Sequence, residues 1–170
     1  MKQTYAEIVT PGLGKTHIRD FTPDATVLAV NLTAAGAAPM CIGEWYELDP
    51  LDGTGQTIIR GVVSPGDQPA YMCMAEVNRT DVQSANLIPV IWDEGCMIKT
   101  QVFDTAAITS ANAVGLQLAV DDVVHSDGNT YRSLVAYAAG AGDYVVAVGT
   151  GLDAAGYLHA RIVSPHTPTP

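Results

Sequence analysis

Apolar and polar residues along this chain alternate in short runs closed by turns. Over residues 118–165, stretches rich in Val, Tyr, Ile and Ala are punctuated by Asp-Gly, Gly-Asn and Ala-Gly dipeptides, the pattern of consecutive antiparallel strands. Tyr157, His159 and Arg161 alternate with Leu158, Ala160 and Ile162, so one face of that strand is expected to be dry and the other solvated. Asp127-Gly128 predicts a tight type I′ hairpin with Val124 opposite Tyr131.

The same grammar runs through the middle of the chain. Residues 26–32 (TVLAVNL), 40–48 (MCIGEWYEL) and 56–63 read as strands separated by small-residue and turn clusters. Residues 70–77 alternate, with Tyr71, Cys73, Ala75 and Val77 on one face and Met72, Met74 and Glu76 on the other. Residues 78–86 are polar and read as a crossing loop. The runs 87–92 and 96–103 flank Asp93-Glu94-Gly95 and predict a hairpin. Residues 105–114 are Ala-rich without a helical stripe, which predicts a loop. A faint echo joins residues 42–60 to 120–132, each an acidic strand followed by Asp-Gly and a returning strand; hairpins of this composition resemble one another in any case. Strands so spaced, with no helices between them, predict an all-β fold: an antiparallel sandwich or barrel, jelly-roll-like forms included.

The two ends differ from this middle. Residues 1–24 hold Pro11, Gly12, Gly14 and Pro23 and no sustained period, which predicts an extended amino-terminal arm. Tyr5, Ile8, Val9, Ile18 and Phe21 make it an arm with anchors, since a purely solvated tail carries few such residues. Fully extended it would reach on the order of 80 Å, a subunit-scale distance. Residues 25–165 form the expected single β domain, and 166–170 a Pro/Thr-rich tail.

Composition narrows the function classes. A chain of 170 residues suits one domain able to bury about 70% of its unfolded surface without metal or disulfide help. Eight basic residues stand against 18 acidic ones, a formal charge of −10. There is no basic cluster to displace counterions from phosphates, which argues against nucleic acid and anionic membranes as partners. Such a charge suits docking onto a more basic protein. Cys41, Cys73 and Cys96 are odd in number, widely spaced and without a CxxC pair, so they read as small buried thiols in a reducing compartment. No run is long and apolar enough to span a bilayer, and the amino terminus does not read as a secretory signal.

Candidate chemistry is sparse. Gly12-Leu13-Gly14-Lys15-Thr16 looks like a phosphate loop, but Val9 stands where the first glycine is required, and this Asp/Pro-containing segment cannot readily supply the helix that should follow. There is no G-x-S-x-G elbow, and His17, His125, His159 and His166 lie outside any triad context. Asp93-Glu94 and Asp121-Asp122 are neighbours whose side chains point to opposite faces of a strand, which suits turns better than acid–base catalysis. Asp121, Asp122, Asp127 and Asn129 lack the spacing of a calcium loop and are explained as turn formers. Trp45, Tyr46 and Trp92 could stack on sugars, although aromatics on strands are more often core. No catalytic residue, cofactor or metal ligand is expected.

Two stretches carry a family likeness. Residues 74–103, MAEVNRTDVQSANLIPVIWDEGCMIKTQVF, resemble the central segment of capsid decoration (cement) and other head structural proteins of tailed bacteriophages. There a polar Arg/Asp-Val element precedes an apolar strand, a Gly turn and a strand ending in Phe-Asp. The closing pattern Gly142-Asp143, residues 145–148, Asp153, Gly156-Tyr157-Leu158 and Arg161-Ile162 is similar to the end of the same proteins. The likeness covers about half of the chain, and the amino-terminal half departs from it. It implies a non-enzymatic protein, made in the host cytoplasm, that clamps the outside of a capsid, commonly as a homotrimer, with the major capsid protein as partner. On that expectation Tyr5, Ile8, Val9, Ile18 and Phe21 dock on a neighbouring subunit, and many copies make a modest contact effective. The alternative is a head-fibre, tail or adhesive module that binds carbohydrate through an exposed aromatic platform.

Overall fold

A computed structural model describes residues 5–10, 18–23, 42–48, 57–59, 69–74, 88–91, 94–139 and 143–168. The described residues form strands and turns with no helix, so the protein is all-β as its alternation predicts. The strands are β1 (Ala6–Thr10), β2 (Ile18–Pro23), β3 (Trp45–Leu48), β4 (Thr57–Ile59), β5 (Ala70–Met72), β6 (Ile88–Ile91), β7 (Met97–Thr100), β8 (Gln117–Val124), β9 (Thr130–Ala136), β10 (Val145–Leu152) and β11 (Leu158–His166). They make a six-stranded sheet of order β1-β7-β11-β10-β8-β9 and a five-stranded sheet of order β5-β3-β4-β2-β6. Both are antiparallel apart from the parallel pair β2–β4.

Each sheet rolls so that distant strands meet. In the larger one, the chain leaving β7 bridges β9 at Phe103 and Leu134. Leu134 N–H donates to the Val102 carbonyl at 3.1 Å, and Asp104 N–H to the Leu134 carbonyl at 2.8 Å. In the smaller, Cys73 bridges Val90, and Met74 N–H donates to the Pro89 carbonyl at 2.9 Å. These seams satisfy edge groups that would otherwise invite another strand. One core joins both sheets: Trp45, Met72 and Ile91 from the smaller pack with Ile98, Leu118, Leu134, Leu158 and Ile162 from the larger. Leu158, Ala160 and Ile162 are buried while Arg161 is exposed, the alternation expected of β11.

The segment expected to be an arm is built into these sheets. β1 pairs with β7 from Ala6↔Thr100 to Thr10↔Met97, and Gln101 N–H donates to the Tyr5 carbonyl at 3.0 Å. Ala6 and Ile8 pack against the core. Gly43 has φ +88°, and a Cβ there would stand 2.8 Å from the Ala6 Cβ, so β1 rests on bare backbone that no larger residue would leave open. β2 pairs antiparallel with β6. The alternation of Ala6 and Ile8 with Tyr5, Glu7 and Val9 supplies one apolar face, and burying it outweighs the breakers. Of those, Pro11, Gly12 and Gly14 fall in the connection between β1 and β2, outside the described residues, and Pro23 ends β2.

Three further expectations are corrected. Residues 87–92 and 96–103 do not form a hairpin: β6 pairs with β2, whereas β7 pairs with β1 and β11. Gly95 N–H donates to the Ile162 carbonyl and Ile162 N–H to the Cys96 carbonyl, each at 2.8 Å, so contacts with β11 carry the chain into the other sheet. In the β8–β9 hairpin Val124 faces Thr130, and Val123 faces Tyr131. There Gly128 N–H donates to the His125 carbonyl, and His125 N–H to the Asn129 carbonyl, each at 2.9 Å. Gly128 sits at φ +78°, the left-handed position of a longer turn with a bulge, which moves the register by one residue. Finally, β11 continues to His166, opposite Val145, so strand occupies the first residue of the expected tail. The strand expected over 26–32 and the crossing loop over 78–86 lie outside the described residues.

Candidate functional site

The side chains that β1, β7 and β11 turn away from the core form the best-defined polar surface. Glu7, Lys99 and His159 stand on one rung across the three strands, acid beside base, an arrangement that stabilises neighbouring strands. Lys99 Nζ lies 3.6 Å from Asp153 Oδ2 and 4.5 Å from the centroid of the Tyr157 ring, within cation–π range. His159 Nε2 lies 3.1 Å from the same Asp153 oxygen. Tyr5 meets Tyr157 edge to face at 5.1 Å and donates its hydroxyl to Glu7. That bond holds the Tyr5 phenol above its ordinary pKa.

Asp153 fixes the turn behind this face. Its Oδ1 accepts from Ala155 N–H and Tyr157 N–H, each at 2.9 Å. Backbone bonding from Tyr157, then the His159 hydrogen bond, lowers its carboxyl to about 2. Tyr157 is thereby placed where Tyr5 and Lys99 converge. Apolar groups flank the cluster: Tyr5 is 37% and Val9 50% exposed. Of the residues expected to dock, Tyr5 and Val9 face solvent while Ile8 packs toward the core. Ile18 and Phe21 lie in β2 opposite Ile91 and Ile88; their side chains are outside the description.

A second charged cluster lies between the sheets. Arg132 on β9 is fully buried, with Glu44 and Glu47 beside it from the segment that becomes β3. The Arg132 guanidinium bonds the Glu47 carboxylate, and its Nη1 lies 3.6 Å from Asp122, its opposite neighbour on β8. Glu44 accepts from the Arg132 backbone N–H at 3.1 Å and from the Tyr46 hydroxyl at 2.7 Å. A carboxylate from one sheet thus caps an edge N–H of the other. This cluster locks structure, because charges this deep persist only when paired. In the sequence it shows only as two glutamates inside the otherwise apolar run 40–48.

A third group sits at the β8–β9 turn. His125 Nε2 lies 2.8 Å from Ser133 Oγ, and that hydroxyl donates to the Tyr131 carbonyl at 3.2 Å. Ser133 is fully buried, whereas a nucleophile has to be open to substrate as well as beside a base. Asp127 accepts from Tyr131 Oη at 2.6 Å, from Asn129 Nδ2 at 2.8 Å and from Asn129 N–H at 2.9 Å. The Tyr131 bond is the main cause that lowers its carboxyl to about 2.

The other candidates resolve simply. Trp45 is buried and Tyr46 has no exposed surface, so neither can belong to a sugar platform; Trp92 is outside the described residues. Asp121 and Asp122 are both exposed on β8, and Asp122 serves Arg132. Cys73 and Cys96 are buried in the core, as expected of small core thiols; Cys41 is outside the described residues. Among the described residues no three His, Cys, Asp or Glu side chains gather to hold a metal ion, and no helix is long and apolar enough to cross a membrane. No family model, curated protein or solved structure matches this chain.

Proposed function

We propose that this chain is a non-enzymatic structural protein of a tailed-phage virion that binds the outer surface of the capsid and stabilises it as a homotrimer. The observation that carries the reading is the outer face of β1, β7 and β11. It sets the solvent-facing Tyr5 and Val9 beside an ordered polar cluster, on strands whose inner face is fixed to the core. Aromatic anchors with a polar surround are what protein interfaces use. The formal charge of −10 favours a more basic partner, here the major capsid protein, and steers encounter with it. Repetition over the shell turns a modest contact into stable coverage.

Solution mass by analytical ultracentrifugation, together with co-sedimentation on expanded shells of the corresponding phage, tests this. A trimer that pellets with shells is the expected result. A monomer that stays in the supernatant overturns it. Deleting residues 1–24 would remove β1 and β2 with the anchors, so the intact chain is the form to use.

A further inference from the structure

The chain that runs from the seam beside β7 to the start of β8 crosses the surface as a loop, residues 105–116. It carries no charged residue, in a chain of formal charge −10. Its shape is fixed from within. Ile108 and Ala113 are buried, and Asp104 Oδ1 accepts from Ala106 N–H at 2.9 Å where the loop begins. Asn112 Oδ1 accepts from Thr109 N–H at 2.8 Å, and its Nδ2 donates to the Ala107 carbonyl at 2.9 Å. Where the loop ends, Gly115 N–H donates to the Gly149 carbonyl at 2.8 Å and Gly149 N–H to the Leu116 carbonyl at 2.9 Å. On this frame Val114 is 74% exposed, and Ala111 is exposed as well. We infer that this loop is where copies of the chain meet one another, with Val114 at the centre of the contact. The inference rests on the homotrimer proposed above and gives that trimer its self-contact.

Charge selects a second copy as the occupant. Chains that each carry −10 repel as they approach, and like charges placed face to face cost most where water is excluded. Close to a symmetry axis a residue meets its own counterpart, so an acid there meets the same acid. A charge-free loop avoids that cost. A basic partner, by contrast, would find no carboxylate on the loop to pair with. Val114 supplies apolar surface to withdraw from water, and the exposed Thr109, Ser110 and Asn112 supply a polar rim of the kind that surrounds interface centres. Because the internal bonds set the loop before contact, little ordering entropy opposes association.

Sedimentation equilibrium of the full chain tests this, comparing the parent with Val114→Glu, Ala111→Glu and Val124→Glu. Val124 is 70% exposed at the opposite end of β8 from the loop, so it adds the same charge in another place. The parent and Val124→Glu should have the mass of three chains. Val114→Glu and Ala111→Glu should have a third of it, with circular dichroism unchanged. The inference is overturned if a loop variant keeps the parent's mass, or if Val124→Glu dissociates too. It is also overturned if Val114→Glu unfolds, since Val114 would then hold the fold and not the contact. A parent that is not a trimer overturns the homotrimer reading itself, whereas trimeric loop variants of a trimeric parent overturn this inference alone.

Discussion

Arg132 and Lys99 each stand among acidic side chains, and the contrast between them separates what holds the fold from what it displays. Arg132 lies between the sheets with its side chain fully buried, bonded to a Glu47 that is 3% exposed. Lys99 lies on the outer face, its side chain 25% exposed beside an Asp153 that is 29% exposed. Removing one partner from a buried pair strands the other charge, whereas an exposed pair is screened and already solvated. The first cluster therefore belongs to stability. In the second, Asp153 holds its turn, and the exposed Tyr5 and Val9 beside it are free to serve recognition.

The largest effect that can break this contrast is expected at the buried cluster. Arg132→Met leaves Glu47 without its cation and should cost about 3 to 5 kcal/mol of stability, read by urea denaturation. Adding Glu47→Leu should recover most of that loss, since an apolar pair of similar volume is often as stable as the ion pair. A single variant as stable as the parent would dissolve the distinction.

An intermediate effect should follow pH. Asp127 and Asp153 hold folded-state values of about 2 against an ordinary 3.8. The fold thus favours their ionised forms, and that stabilisation is complete above 3.8 and lost as pH falls toward 2. Thermal unfolding measured through that window should drop more steeply for the parent than for Asp127→Asn with Asp153→Asn; identical slopes would contradict the assigned bonds. The smallest effect is expected for Lys99→Ala, whose exposed pairs should be worth less than about 1 kcal/mol. A clear drop would move the outer face into the stability class.

How much of this was legible depended on how local the cause was. The dry and wet faces of β11 follow from residues 157–162 alone, and all-β architecture from the punctuation around them. The β8–β9 turn was visible at Asp127-Gly128, but its register was not, because it depends on bonds running from Asn129 and His125 across the turn. The separation of β6 from β7 turns on Gly95 and Cys96 bonding to Ile162, and no pattern within residues 87–103 encodes a partner so remote. Glu44 and Glu47 were equally opaque, since the residue that explains them is Arg132. β1 was obscured for the opposite reason. Its strand pattern is present in Ala6 and Ile8, but Pro11, Gly12 and Gly14 directly after it mask the pattern. At the outer face, Tyr5 and Val9 were legible as apolar residues of the amino-terminal segment, whereas their neighbours Lys99, Asp153 and Tyr157 became apparent only through the pairing of β7 with β11.

The central proposal is that Tyr5 and Val9 on the outer face recognise the capsid without holding the protein together. Tyr5→Ser with Val9→Ser, compared with the parent in co-sedimentation on expanded shells at equal folded concentration, tests it most directly. The account predicts a folded protein that no longer pellets with the shells; undiminished pelleting of the double variant would contradict it.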